Sequence, residues 1–266
     1  MMQTWSLTAF NNAADSENRI HADDVAKDYG FRGGLVPGVT VYAYMTHPVV
    51  EALGPQWLES GEADARFLAP CYDGEEVTAA AIEAGDGKYE IQLTREGQVL
   101  GQGSASIPSE PPVVPPVGEY PEVPMPSERI PAEAQALKAA CVAGDLGSLN
   151  FTFDEAKSKA YLESVRETLT VYEDKAIAHP GFLLSIVNFQ LAANVALGPW
   201  IHVGSVIRHM GLVHFGDKVS VRGRLTDVYE KKGHEFLDMD VVIVTNDAQV
   251  VAKVEHHAIY RIRKAG

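Results

Sequence analysis

The 266-residue chain predicts an α+β protein made of two fused copies of one unit, each an antiparallel sheet wrapped around a long apolar helix. Three observations predict it. The chain repeats itself in order, a long apolar segment of helical spacing follows each Pro-Gly, and four strand-like segments follow each helix.

The repeat aligns the stretch from Val36 with the stretch from His179. Pro37-Gly38 matches Pro180-Gly181, and Leu53-Gly54-Pro55 matches Leu197-Gly198-Pro199. Trp57, Gly61, Arg66, Gly74 and Val77 fall on Trp200, Gly204, Arg208, Gly216 and Val219, with an offset between 142 and 144 residues. One shared Pro-Gly pair can arise by chance; an ordered series of this kind is a duplication.

After Pro-Gly, Tyr42, Met45, Val49 and Leu53 recur at helical spacing, as do Phe182, Ile186, Phe189, Ala193 and Leu197 in the second copy. Gly-Pro is expected to stop both helices, since proline has no N–H for the next bond and clashes with the turn before it. Strands are expected at Ala63–Pro70, Glu75–Ala84, Lys88–Arg95 and Val99–Ile107, then at Ser205–Val213, Lys218–Tyr229, Glu235–Thr245 and Gln249–Arg263. Lys232-Gly233 and Asn246-Asp247 supply turns in the second copy. A long apolar helix followed by four antiparallel strands is the hotdog arrangement, so the chain reads as a double hotdog. Its halves should pair edge to edge as a pseudo-dimer within one chain, with association into a homodimer left open.

The division expected is an N-terminal unit at 1–107, a connector at 108–132 and a C-terminal unit at 133–266. The connector holds most of the prolines and favours extended backbone crossing the surface. With 22 Lys+Arg against 36 Asp+Glu, the formal charge of −14 disfavours nucleic-acid and anionic-membrane partners. An anionic coenzyme would need a local basic patch, for which Arg261, Arg263 and Lys264 are the candidates at this stage; a solvated strand end is the plainer reading. Cys71 and Cys141 show no zinc or disulfide spacing, and the histidines show no metal spacing, so no metal is assigned. His256 and His257 should point to opposite faces of one strand. No signal peptide or membrane-length apolar run is visible, and the expected compartment is the cytoplasm.

The copies differ just before Pro-Gly. Copy two has a strand at Asn150–Phe153, Asp154 as N-cap, and a helix to about Glu167 with Ala156, Tyr161, Leu162 and Val165 on its apolar face. From there TLTVYEDKAIA leads to His179 without a dense polar cluster. Copy one has no such helix. It carries the polar run Asp15-Ser-Glu-Asn-Arg-Ile-His21-Ala-Asp-Asp, then Gly30-Phe31 and Leu35-Val36-Pro37-Gly38. This run resembles the signature of the MaoC-like dehydratases, which include the (R)-specific enoyl-CoA hydratases. Asn18 and His21 keep the Asn-x-x-His spacing, and Asp23, Ala26, Gly30 and Phe31 follow at the family distances. Pro37 stands where many members have His, and Arg19 replaces a loop proline. The family's catalytic Asp would fall on Ser16, with Asp15 and Glu17 one place to either side.

The resemblance implies a hydratase or dehydratase acting on 2-enoyl or 3-hydroxyacyl thioesters, carried by coenzyme A or acyl carrier protein, in fatty acid metabolism. It implies no cofactor beyond the coenzyme A of the substrate. His21 would be the acid/base, since imidazole titrates near neutral pH, with Asp15 or Glu17 as partner. Gly38, at the start of the helix, would let the thioester oxygen approach backbone N–H groups. Asn18, Phe31, Val39, Tyr42 and Asn188 are the expected substrate contacts. Each has a plainer reading: His21 as a loop hydrogen-bonder, Gly38 as a turn glycine, and Asn188, Gln190 and Asn194 as solvated or satisfied in the core. Two other functions stay open on the same scaffold: thioester hydrolysis, and acyl-thioester binding without catalysis.

Overall fold

The computed structural model describes residues 1–263 and joins both copies through a single sheet. The first copy contributes β1 (Met2–Thr8), α1 (Asp23–Asp28), α2 (Gly38–Leu53), α3 (Pro55–Ser60), β2 (Glu62–Phe67), β3 (Glu76–Gly85), β4 (Lys88–Arg95) and β5 (Gln98–Ser106). After the connector, which includes β6 (Ile130–Pro131), come α4 (Ala134–Ala143), β7 (Leu149–Thr152), α5 (Glu155–Ser164) and α6 (Val171–Asp174). Then follow α7 (Pro180–Asn194), β8 (Val195–Ala196), β9 (Ile201–His209), β10 (Lys218–Lys231), β11 (His234–Thr245) and β12 (Gln249–Arg261).

Ten strands run in the order β1-β3-β4-β5-β2-β9-β12-β11-β10-β7, so the second half mirrors the first. The copies meet at β2 and β9, which pair antiparallel. In that register Asp64 stands opposite Val206, its own counterpart at the 142-residue offset of Arg66 and Arg208. The local pseudo-two-fold axis passes through that pair, as an isologous contact requires.

The two apolar helices α2 and α7 are buried almost throughout. They pack on each other where Gly181 meets Ala43; a Cβ on Gly181 would lie 2.7 Å from the Ala43 Cβ and overlap the Tyr161 hydroxyl. Residues 232 and 233, joining β10 and β11, both have positive φ, as a two-residue hairpin turn demands.

Several expectations are corrected by the long-range structure. Gly54-Pro55 does end α2, but Pro55 opens α3, whose N1 position needs no N–H. In copy two, α7 ends at Asn194, before Leu197-Gly198-Pro199, because Val195 leaves the helix to pair with Ile130. With no counterpart of α3, copy two enters β9 at Ile201, earlier than alternation alone indicates. Neither β1 nor α4 was foreseen. Ala156 is exposed, and the buried positions of α5 are Ser158 and Leu162.

The connector crosses the outer face of the second copy. Tyr120 is buried among Val242, Val244 and Val250, and its hydroxyl donates to Asp240 at 2.6 Å. Just downstream, β6 pairs with β8 (Ile130 with Val195, Pro131 with Ala196), which pins the connector beside the C-terminal end of α7. Among the described residues no helix is long and apolar enough to cross a membrane.

Candidate active site

The polar run of copy one folds into a loop that leans on copy two. Asn18 starts a short 3-10 turn at Arg19–His21 and caps it by accepting from the Ile20 N–H. Its amide also pairs with the Trp200 backbone, accepting from Trp200 N at 3.1 Å and donating to Trp200 O at 3.0 Å. Asp23 opens α1 and accepts from Gly34 N at 2.7 Å, while Leu35 N donates to Ile20 O. These bonds hold residues 33–35 against His21. Any side chain at Gly34 would collide with the His21 carbonyl.

His21 is positioned from both sides. Its Nδ1 lies 2.7 Å from the Leu35 carbonyl oxygen, which can only accept, so Nδ1 carries the proton. Burial lowers the His21 pKa from its ordinary value, and the backbone bond to Leu35 opposes that shift without cancelling it. The ring is therefore neutral near pH 7, and Nε2 is its acceptor. Nε2 sits 3.3 Å from the Asn18 Nδ2.

His21 lines a cavity of about 710 Å³ between the loop, the start of α2, α5 and the length of α7. Its walls are mostly apolar: Phe10, Val39, Phe182, Phe189, Ala192, Val195, Leu197 and Trp200. Val39, Asn18 and Asn188, three of the expected contacts, lie in the lining. The Asn188 Oδ1 is buried without a hydrogen-bond partner among the described residues. Gln190 and Asn194 instead serve the core through Gly147.

Three expected residues fall elsewhere. Tyr42 is fully buried in the core with α2 around it and does not reach the cavity. Phe31 packs in a small separate cluster with Ile20, Ala26, Leu35 and Ile259, anchoring the loop to the sheet. Gly38 is absent from the lining as well. A Cβ there would lie 2.8 Å from the Phe67 ring and 3.2 Å from the His202 carbonyl oxygen, so packing, not substrate approach, explains the glycine. The helix still opens toward the cavity through Val39, whose N–H has no backbone partner among the described residues.

The carboxylates also differ from expectation. Asp15 and Glu17 both line the cavity, yet neither is hydrogen-bonded to His21. Asp15 is exposed, and Glu17 accepts from Arg129 at 2.6 Å. Ser16, in the family's Asp position, donates to the Asn18 carbonyl. The C-terminal basic candidates are engaged elsewhere. Arg261 pairs with Glu235 and donates to the Ala132 carbonyl, and Arg263 bonds His234 through its backbone. Lys264 lies outside the described residues.

Behind the cavity wall lies a polar cluster that local sequence did not reveal. Glu167 accepts from His47 of copy one at 2.7 Å and faces His179 at 3.2 Å; all three are almost fully buried. His179 Nδ1 accepts from Gly181 N, which leaves Nε2–H to donate to Glu167. Trp5 stacks on His47 with ring centroids 4.0 Å apart. Burial alone would raise the Glu167 pKa, but the hydrogen bonds from His179 and His47, with their charge, outweigh it and hold the carboxyl well below the usual range. The cluster ties the copies together. Glu167→Leu should destabilise the fold by about 3–5 kcal/mol, since removing one partner leaves buried polar groups uncompensated. Urea unfolding of the variant checks this, and a midpoint equal to the parent's would refute it.

No family model and no curated protein sequence matches this chain. Solved structures do. A putative MaoC domain dehydratase from Chloroflexus aurantiacus is similar at 12% identity and TM-score 0.60, covering 100% of this chain and 95% of its own. A double hotdog protein described as conserved hypothetical, from Mycobacterium tuberculosis, gives 14% identity and TM-score 0.64 over 97% of this chain and 95% of its own. A putative thioesterase from Novosphingobium aromaticivorans gives 12% identity and TM-score 0.58 over 97% and 96%. The fold is therefore defined: this chain is a double hotdog protein. Its neighbours of that fold include both dehydratases and thioesterases.

Proposed function

We propose that the chain is a hydro-lyase that hydrates a 2-enoyl thioester, or dehydrates the 3-hydroxyacyl product, in the cavity beside His21. The observation that carries this reading is an imidazole fixed by its bond to Leu35, its Nε2 held by the Asn18 amide, in the lining of an acyl-sized apolar cavity. In the hydration direction Nε2 accepts a proton from water as the hydroxide oxygen bonds to C3. The C2–C3 π electrons move toward the thioester carbonyl, and the imidazolium returns the proton to C2. No net charge is created. Asn18, bonded to Trp200 and close to Nε2, orients the water or the ring. The N–H of Val39, which has no backbone partner among the described residues, would stabilise the developing negative charge on the thioester oxygen. Coenzyme A or acyl carrier protein would be the carrier, and the cytoplasm remains the expected compartment.

Incubation with crotonyl-CoA, following both enoyl absorbance and free thiol, tests the reading. Loss of absorbance without thiol is expected. Thiol release instead would favour thioester hydrolysis, for which the cavity-lining Asp15 carboxylate is the supporting observation. Neither signal across several chain lengths would leave an acyl-binding role.

The pH profile follows from the neutral base. Because burial lowers the His21 pKa, the acid limb of kcat/KM should be centred below pH 6.5. A limb centred above 6.5 would contradict this assignment.

A further inference from the structure

The proposed substrate is anionic, yet the protein carries a formal charge of −14, Arg261 is paired with Glu235, and Arg263 is not in the cavity lining. Among the described residues lining the cavity, one carries a permanent positive charge: Arg129. It belongs to neither hotdog unit. The connector supplies it, immediately before the β6 residues that pair with β8. That pairing sets Arg129 at the C-terminal end of α7, where Nη1 donates to the Ala192 carbonyl at 3.2 Å and to Glu17 at 2.6 Å. The guanidinium is 40% exposed and Glu17 is 70% exposed, so the pair stands at the rim of the cavity.

Building on the thioester reading, we infer that Arg129 is the anion-reading residue of the site, with Glu17 as its placeholder. The ligand group is a phosphate or carboxylate oxygen pair of the substrate. Magnitudes favour exchange: an exposed ion pair contributes little, and Glu17 can turn into solvent, whereas a guanidinium fork holds a phosphate or carboxylate with two charge-assisted bonds. Two sources share this chemistry: the phosphates of the carrier, and a carboxylate on the acyl group.

A plain latch between connector and loop is the rival reading, and the two separate cleanly. Binding of butyryl-CoA, which has no double bond to hydrate, is measured calorimetrically for the parent, Arg129→Ala, Arg129→Lys and Glu17→Gln. The same proteins are titrated with butyryl-pantetheine and with the CoA and pantetheine thioesters of succinate. Arg129→Ala should weaken the anionic ligands about 10- to 100-fold, Lys should restore part of the loss, and Glu17→Gln should tighten binding a few-fold. A loss confined to CoA thioesters identifies the carrier phosphate; a loss confined to the succinyl compounds identifies the acyl carboxylate. A latch instead makes Arg129→Ala and Glu17→Gln change binding in the same direction, and that result overturns the inference. So does equal weakening of butyryl-pantetheine, or no binding of any anionic ligand by the parent. Because these ligands are not turned over by hydration, Arg129-dependent binding without activity on crotonyl-CoA would remove the hydro-lyase reading and keep this one.

Discussion

Replacing His21 with glutamine is expected to lower kcat/KM for crotonyl-CoA hydration by about 10²- to 10⁴-fold, the usual worth of a positioned general base. Glutamine places its amide near the ring's Nε2 position, not at the Nδ1 that bonds Leu35, so folding is measured beside the kinetics. What it lacks is a nitrogen able to take a proton from water and return it to carbon. Among the described residues lining the cavity, the carboxylates are Asp15 and Glu17, and neither bonds His21. Asp15→Asn should therefore cost far less than His21→Gln, less than about tenfold, because an exposed carboxylate supplies little transition-state interaction. Steady-state kinetics on both variants, with circular dichroism to confirm folding, decide the matter. If His21→Gln kept parental activity, the proposed base would be wrong; if Asp15→Asn were the more damaging, the chemistry would shift toward the carboxylate and thus toward hydrolysis.

Acid should begin to destabilise this protein above the range in which carboxylates protonate. His202, His209 and His256 are fully buried near the junction of the copies, on β9 and β12. Desolvation pushes His202 down to about 3 and His209 to about 4, and lowers His256 well below its ordinary value, with the neighbouring His202 and His257 adding to that. In the unfolded chain each titrates near 6.5. Above pH 6.5 both states bind the same number of protons at these sites and stability is unaffected. As pH falls below 6.5 the unfolded chain takes up protons that the folded one refuses, so stability declines until the folded pKa values are reached. By pH 5 the loss is about 2 kcal/mol each for His202 and His209, and His256 adds to it in the same direction, together a large part of the stability of a typical domain. An unfolding midpoint between about pH 4 and 5.5 is expected by tryptophan fluorescence, with close to three protons taken up. His209→Phe, which replaces a ring that has no hydrogen-bond partner among the described residues and lies edge-on to Trp57, should reduce the uptake by about one proton. A fold that stays intact at pH 4, or a transition that takes up no protons between pH 6.5 and 5, would contradict the argument.

Much of the architecture was legible because duplication and hairpin alternation are written locally. The offset between the copies, the helical spacing after each Pro-Gly, and the strand at Lys88–Arg95 all follow from side-chain periods of 3.6 and 2. Asp154 as a cap follows from the same local chemistry. The Asn18–His21 spacing likewise marked the loop that faces the cavity.

Side-chain contacts between distant segments were not legible. Sequence spacing put Tyr42 and Phe31 with the substrate, whereas the fold spends Tyr42 in the core and Phe31 in docking the loop. Trp200 gives Asn18 its backbone partner from 182 residues away, and Glu167 joins His47 across 120. Arg129 reaches the rim only because Ile130 pairs with Val195. By itself, then, the sequence determined two hotdog units, unequal at their starts, with one histidine loop. The tertiary structure alone decided which residues share the cavity, because both copies and the connector contribute to it and no local period relates them.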